Sequence, residues 1–132
     1  MTFTTPPNLQ KAVAFGLGKD HAYYHALAGD LERKRDRLVA GLKEIGFTVI
    51  DCQGTYFITA DIRPLDLGED DFEACRRLTL EAGVTAIPVS AFYGAHAPSY
   101  FIRFCFSKKD EVLDAAIERL AAFAKGIART TA

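Results

Sequence analysis

The sequence predicts an α+β fold: a small, largely antiparallel sheet of about four strands with helices packed against it. Three observations point there. Apolar residues recur at helical spacing near both ends of the chain, short aromatic and β-branched runs bounded by glycine or proline lie between them, and the elements follow the order helix, helix, strand, strand, helix, strand, strand, helix.

Pro6-Pro7-Asn8 cannot occupy a helix interior, so Leu9, Val13 and Leu17 belong to a short helix that Gly16 and Gly18 bring to its end. Tyr24, Leu27, Leu31, Leu38, Leu42 and Ile45 then recur every three, four or seven residues, with Glu32, Arg33, Asp36, Arg37 and Lys43 on other faces; this is a long amphipathic helix. Gly46 stops it, because glycine reaches the left-handed conformation of a helix C-terminus without steric cost. Phe47–Asp51 and Thr55–Asp61 flank Cys52-Gln53-Gly54 and read as paired strands. After a turn at Pro64–Gly68, Phe72, Cys75, Leu78, Thr79 and Ala82 trace another helix, ended by Gly83, and Val84–Ile87 reads as a short strand cut off by Pro88.

Val89–Ser99 has no clear period and reads as a loop. Tyr100–Phe106 is the strongest strand, apolar on both faces apart from Arg103, which predicts cover on both sides. Ser107 is the expected cap of the last helix, with Asp110 at its third position, and Leu113, Ile117, Leu120, Ala124 and Ile127 line one face. Residues Ala128–Ala132 are expected to fray.

At 132 residues with 49% hydrophobic content, the chain reads as a single domain able to bury roughly two-thirds of its unfolded surface without staples or metals. Sixteen Lys and Arg nearly cancel seventeen Asp and Glu, which argues against a nucleic-acid partner or an anionic membrane. The apolar runs fall short of the ~20 residues of a membrane helix, and Met1–Pro7 has no leader-like basic or apolar region; the expected location is cytoplasmic. Three widely spaced cysteines, Cys52, Cys75 and Cys105, read as buried thiols in a reducing compartment.

Most candidate chemistry has a plainer explanation. His21 and His25 share a helix face but lack a third nearby metal ligand, and Gly16-Leu17-Gly18-Lys19 lacks the spacer and Lys-Ser/Thr of a phosphate loop. Asp66, Glu69, Asp70, Asp71 and Glu73 open a helix, where the positive end of the dipole favours them without a metal. Phe101, Phe104 and Phe106 lack the basic neighbours of an RNA-stacking platform, so they belong to a core.

Arg103 is different. A guanidinium in the middle of a strand built from Tyr, Phe, Ile and Cys is costly without a partner, because it loses hydration. Either it pairs with a carboxylate of this domain or snorkels from an edge strand, or its planar fork awaits the carboxylate of a ligand. Composition alone favours the first.

Ile87-Pro88-Val89-Ser90-Ala91-Phe92-Tyr93, followed by Ile102-Arg103-Phe104-Cys105-Phe106-Ser107-Lys108-Lys109-Asp110-Glu111, resembles the C-terminal part of fold-type I, pyridoxal-phosphate-dependent aminotransferases of class I/II. The likeness is greatest to the kynurenine, glutamine and methionine transaminase group, since a branched residue, Val89, stands where many relatives carry glycine. It extends upstream through Gly54-Thr55-Tyr56-Phe57, Ala60-Asp61-Ile62 and Lys34-Arg35-Asp36 to Thr5-Pro6-Pro7-Asn8-Leu9-Gln10, nearly the whole chain.

The resemblance implies that Arg103 forms a bidentate ion pair with the substrate α-carboxylate, reversing the weighing above, that Tyr56 lines the substrate pocket, and that the loop Pro88–Tyr93 covers its mouth. It also implies that residues 1–132 form the small C-terminal domain, with 1–20 an interdomain segment, and that the large cofactor-binding domain is absent. The Schiff-base lysine and the other contacts to pyridoxal 5′-phosphate lie upstream in the family, so no cofactor is expected on the fragment and it is expected to be inactive alone. The implied partners of the complete enzyme are amino-acid and 2-oxo-acid substrates, the missing large domain and a second subunit of a homodimer. Two alternatives stay open: a stand-alone small-molecule-binding or oligomerisation module that kept the fold without catalysis, and a transaminase of the same superfamily acting on a succinylated diaminopimelate precursor.

Overall fold

A computed structural model describes residues 5–130, which divide into two compact units, Met1–Asp30 and Leu31–Ala132. Helices α1 (Pro7–Leu17) and α2 (His21–Ile45) come first, the division falling within α2. Pro7 sits in the first turn of α1, where its missing N–H costs nothing, and the Gly18 N–H closes the helix on the Ala14 carbonyl at 3.1 Å. Asp20 receives the Ala22 N–H at 2.7 Å as α2 begins, and the Tyr24 hydroxyl donates to the Gly16 carbonyl. No residue of α1 is buried; Leu9, Val13 and Leu17, predicted as its apolar face, are exposed.

The second unit holds the sheet. Strands β1 (Thr48–Val49), β2 (Phe57–Asp61), β3 (Ile87–Pro88) and β4 (Phe101–Cys105) lie in the order β1-β2-β4-β3, every pair antiparallel, as the α+β reading requires. A 3₁₀ turn at Arg63–Leu65 leads to α3 (Asp71–Arg77), which widens into a π-helical turn over Leu78–Ala82 before Gly83 (φ 66°) ends it. Asp70 caps α3 by accepting the Glu73 N–H at 2.8 Å, while the Glu73 carboxylate reaches back to the Glu69 N–H at 3.0 Å, so two members of the acidic run, Asp70 and Glu73, are capping residues. Helix α4 (Asp110–Thr130) closes the chain.

One face of the sheet carries the core. Ile58, Ala60, Ile102 and Phe104 alternate inward and cluster with Phe106, Leu38 and Leu42 of α2, Leu78 and Leu113 and Leu120 of α4. Phe47 meets Phe104 edge to face, ring centroids 5.7 Å apart. Helices α2 and α4 cross closely because Gly41 has no side chain: a Cβ there would fall 2.7–2.8 Å from three carbons of Ile117. Polar ties flank the crossing, with Arg37 bidentate to Asp114 at 2.6 Å and Arg33 on Asp110 at 2.9 Å.

Several expectations need correction. The other face of β4 is only partly covered: Phe101, Arg103 and Cys105 are half-buried. Cys75, Leu78 and Ala82 are buried as predicted, but Phe72 and Thr79 are exposed, because the N-terminal end of the buried stripe passes through Asp71 and Ala74 instead. Ser107 does not cap α4; the Lys109 carbonyl accepts the first helical bonds, from Val112 and Leu113, and Asp110 is already helical, held by Arg33 and Arg37. Val84–Ala86 pairs with nothing in the sheet, and Pro88 lies inside β3, an edge strand, where a missing N–H is harmless. Of the cysteines only Cys75 is buried; Cys52 and Cys105 are intermediate. Helix α4 runs on to Thr130, past the residue where fraying was expected; 131–132, like 1–4, lie outside the described residues.

At the end of β2, Asp61 is buried and accepts the backbone N–H and the guanidinium of Arg63, which lies 4.0 Å over the Tyr100 ring. Those hydrogen bonds hold the Asp61 carboxyl below its ordinary value of 3.8. The folded state therefore sheds this proton more readily than the unfolded state, so the stabilisation is complete above about pH 4 and is lost as pH falls through the folded value. Urea midpoints between pH 2 and 7 are expected to show a steep acid limb in the wild type and a shallower one in Asp61→Asn; parallel limbs would refute the assignment. In the same assay Gly41→Ala is expected to lose about 1 kcal/mol or more despite the ~1 kcal/mol propensity gain of alanine, whereas Gly29→Ala, with nothing within 4 Å of the added carbon, is expected to gain about 0.5–1 kcal/mol. Equal gains at both sites would mean that the helices do not cross as closely as described.

Candidate functional site

Arg103 lies on β4, between β2 and β3, opposite Thr59 on one side and Ile87 on the other. A central strand gives no edge from which to snorkel. Phe57 faces Cys105 across the β2–β4 ladder, so it is the diagonal neighbour of Arg103 on the half-open face. Its ring centroid lies 4.1 Å from the guanidinium carbon, and the Phe92 ring lies 5.1 Å away. Among the described residues no carboxylate pairs with Arg103, so the in-domain partner that composition favours is not there. Contacts of this kind contribute roughly 0.5–2 kcal/mol each and leave the in-plane N–H groups of the fork for another acceptor.

Tyr56 precedes β2 and is half exposed, its ring 4.3 Å from that of Phe57. It joins Arg103 through Phe57. Its backbone is fixed by the Phe106 N–H donating to the Tyr56 carbonyl at 3.0 Å, and the residue before it, Thr55, has φ 62°, a strained conformation for a β-branched residue. Across the hairpin turn the Cys52 thiol donates to the carbonyls of Gly54 and Phe57 at 3.0 and 3.2 Å.

The segment predicted as a loop after β3 contains a 3₁₀ turn, Ser90–Phe92. Val89 N–H donates to the Phe101 carbonyl at 3.1 Å, tying the segment to β4. Asp71, wholly buried, accepts the Ser90 N–H on one oxygen and the Ser90 hydroxyl on the other, both at 2.7 Å. Phe92 and Tyr93 beyond it are exposed. The structure thus gathers Arg103, Phe57 and Phe92, with Tyr56 at one end and the Asp71–Ser90 tie behind the loop.

Phe57 and Phe92 do not stand out individually in the sequence, and Asp71 stands there only as part of an acidic run favoured by the helix dipole. Phe57 needed the strand register, and Phe92 sits where no periodicity speaks. Asp71 had a signal: it stands four residues before Cys75 and seven before Leu78, on the helix stripe that packs inward. The remaining candidates do not converge on this site. His21 and His25 are exposed, and among the described residues no group of three or more His, Cys, Asp or Glu is placed to hold a metal. Burial, and the charge of Asp71, push the Cys75 thiol up to about 12, so it is a packing residue at neutral pH. Phe104 and Phe106 are buried and form no stacking surface. No helix among the described residues is long and apolar enough to cross a membrane.

The family model for aminotransferase class I and II matches residues 1–120. The chain is 45% identical over 125 residues to the probable N-succinyldiaminopimelate aminotransferase of Mycobacterium tuberculosis, spanning 88% of this chain and 31% of that one. It is 41% identical over 120 residues to the methionine aminotransferase of Escherichia coli, spanning 91% and 31%. Kynurenine-oxoglutarate transaminase 3 of Mus musculus shares 38% over 133 residues, spanning 89% and 29%. The solved structure of N-succinyldiaminopimelate aminotransferase from Mycobacterium tuberculosis matches with a TM-score of 0.79 at 47% identity, over 86% of this chain and 29% of that one. The chain therefore spans under a third of the length of these relatives.

Proposed function

The chain belongs to the class I and II aminotransferase family, and from that membership we propose that it is the small C-terminal domain of a pyridoxal-phosphate-dependent aminotransferase. In that enzyme it binds the carboxylate of an amino-acid or 2-oxo-acid substrate while an amino group is moved between the two. The observation that carries the reading is Arg103: a guanidinium at the centre of a sheet, flanked by two aromatic rings, with no carboxylate partner among the described residues. Such a charge is retained at cost unless a ligand completes it. A planar carboxylate meeting the fork edge-on supplies two parallel charge-assisted hydrogen bonds, and rings on the guanidinium faces leave that edge as the approach.

The names of the relatives agree with this division of labour. N-succinyldiaminopimelate, methionine and kynurenine differ in their side chains and share the amino-acid carboxylate. Arg103 reads the shared part. Tyr56, beside Phe57, lines the pocket in this reading, and the loop Pro88–Tyr93 closes over it.

Among the described residues, those around Arg103 do not suit a seat for pyridoxal phosphate. The groups against Arg103 are aromatic rings, and the seven lysines lie on α1, α2 and α4 or in the turns that precede α2 and α4, none on the strands or on the loop that carries Phe92. We assign the cofactor contacts to a large domain outside residues 1–132, with 1–20 the segment leading to it, a homodimer as the complete assembly, the cytoplasm as its location, and no transamination by the fragment alone. The contribution of this chain is then positional. A carboxylate held at two points fixes the orientation of the substrate's reacting carbon, which is worth more to the rate than affinity alone.

Arg103→Ala in the full-length protein is expected to lower kcat/KM for α-amino acids by roughly 30-fold or more, the loss of about 2 kcal/mol or more from a charged pair, while the cofactor absorbance is unchanged. Arg103→Lys keeps the charge without the fork and is expected to recover only part. An efficiency within a few-fold of wild type in Arg103→Ala would remove the carboxylate role, and a full-length protein with no cofactor absorbance and no transamination would favour a stand-alone binding or oligomerisation module.

A further inference from the structure

We propose that Asp71 is a positioning residue for the carboxylate fork, acting through Ser90 to hold Phe92 against Arg103; the inference rests on the carboxylate role of Arg103 proposed above. The Phe92 ring covers one side of the guanidinium, yet the residue is 63% exposed, so packing of its own side chain does not hold it there. Its place is set by the backbone of the 3₁₀ turn that begins at Ser90. Within that turn the bonds are local, Phe92 N–H to the Val89 carbonyl and Tyr93 N–H to the Ser90 carbonyl, both 3.1 Å. They give the turn its shape but anchor it to nothing.

Val89 N–H ties the entry of the turn to the Phe101 carbonyl of β4, and the second anchor, the one that holds Ser90 itself, is Asp71. It is fully buried at the start of α3 and spends one carboxylate oxygen on the Ser90 N–H and the other on the Ser90 hydroxyl. Two 2.7 Å bonds to one residue fix both the position and the orientation of the turn's first residue, and with it the direction in which Phe92 leaves the loop. No cation pairs with Asp71 among the described residues, so the charge is committed to this tie.

The consequence falls on Arg103. With rings against it from β2 and from the loop, the guanidinium is only partly exposed, and each ring displaces water from it. Released from Asp71, the loop would carry Phe92 away, water would solvate the exposed side of the cation, and a substrate carboxylate would have to displace that water. Asp71 therefore tunes carboxylate affinity from a place that touches neither substrate nor Arg103.

The test uses Asp71→Ala, Asp71→Asn and Phe92→Ala, with Arg103→Ala as control, in the full-length protein, and reads KM and kcat separately together with hydrogen exchange at the amides of 90–93. Asp71→Ala is expected to raise exchange in that turn and to raise KM for the amino-acid and the 2-oxo-acid substrate roughly tenfold, with a smaller change in kcat. Asp71→Asn, which can still accept the Ser90 N–H and can donate to its hydroxyl, is expected to regain most of the affinity lost in Asp71→Ala. It also serves if the alanine variant does not fold. In a Phe92→Ala background the Asp71 substitutions should no longer change KM, an outcome that mere loss of stability does not produce. Unchanged exchange at 90–93 overturns the tie itself. Raised exchange with KM unchanged, while Arg103→Ala lowers kcat/KM, overturns the positioning role and leaves the carboxylate reading standing; kcat/KM within a few-fold of wild type in Arg103→Ala overturns both.

Discussion

A cation held on an inner strand, with no carboxylate partner among the described residues, is the constraint on which this sheet depends. Arg103 stands on an inner strand, where an unpaired guanidinium is normally excluded, and the surrounding features bear on how it is tolerated. The face of β4 that bears it stays half-open, and the cation takes aromatic contacts from Phe57 and Phe92 in place of a counter-ion. An in-domain Asp or Glu would make the charge cheaper and would occupy the fork. On the proposed reading, the lack of such a partner is what leaves the fork available to a ligand carboxylate.

The opposite face must then supply the stability. Apolar residues from β2, β4, α2 and α4 close a one-sided core, and Gly41 lets α2 approach α4 near Ile117. The same helices are tied by Arg33, Arg37, Asp110 and Asp114, partly exposed pairs of modest energy that fix which residues meet. The half-open face of the sheet and a first helix with none of its residues buried leave large apolar side chains exposed, Val13, Phe15, Leu17 and Phe92 among them. That agrees with a chain spanning under a third of its relatives.

The sequence made the architecture legible where periodicity is long. α2 and α4 were readable because their apolar stripes repeat over many turns, and β4 because its aromatic and β-branched run is unbroken. What it blurred were properties decided by a distant partner. β1 shrinks to Thr48–Val49 because it meets only the far end of β2, at Ala60 and Asp61. Ser107 fails as a cap because α4 starts at Asp110, which Arg33 and Arg37 hold, and those residues lie some 75 positions upstream. On α3 hydrophobicity misled: Phe72 is the greasier residue, yet the helix phase turns Asp71 inward and Phe72 out. Arg103 was conspicuous as a charge in an apolar strand, whereas Phe92, carried by an aperiodic loop, became visible only in three dimensions.

That phase difference at Asp71 has physical content. A buried carboxylate with no cation is among the costlier groups a small domain can hold, and deleting it in favour of a well-packed apolar residue would ordinarily be neutral or stabilising. Here its two oxygens are satisfied by one residue, Ser90, and its position in the acidic first turn of α3 places it where the helix favours negative charge. The arrangement makes little sense as a stabilising device, since a hydrophobic side chain would fill the same space at lower cost. It does make sense as a directional one. Apolar packing can place the Ser90 turn near α3 but cannot orient it, whereas two hydrogen bonds of fixed geometry can, and the orientation is what brings Phe92 to a cation of the central sheet that has no carboxylate partner among the described residues.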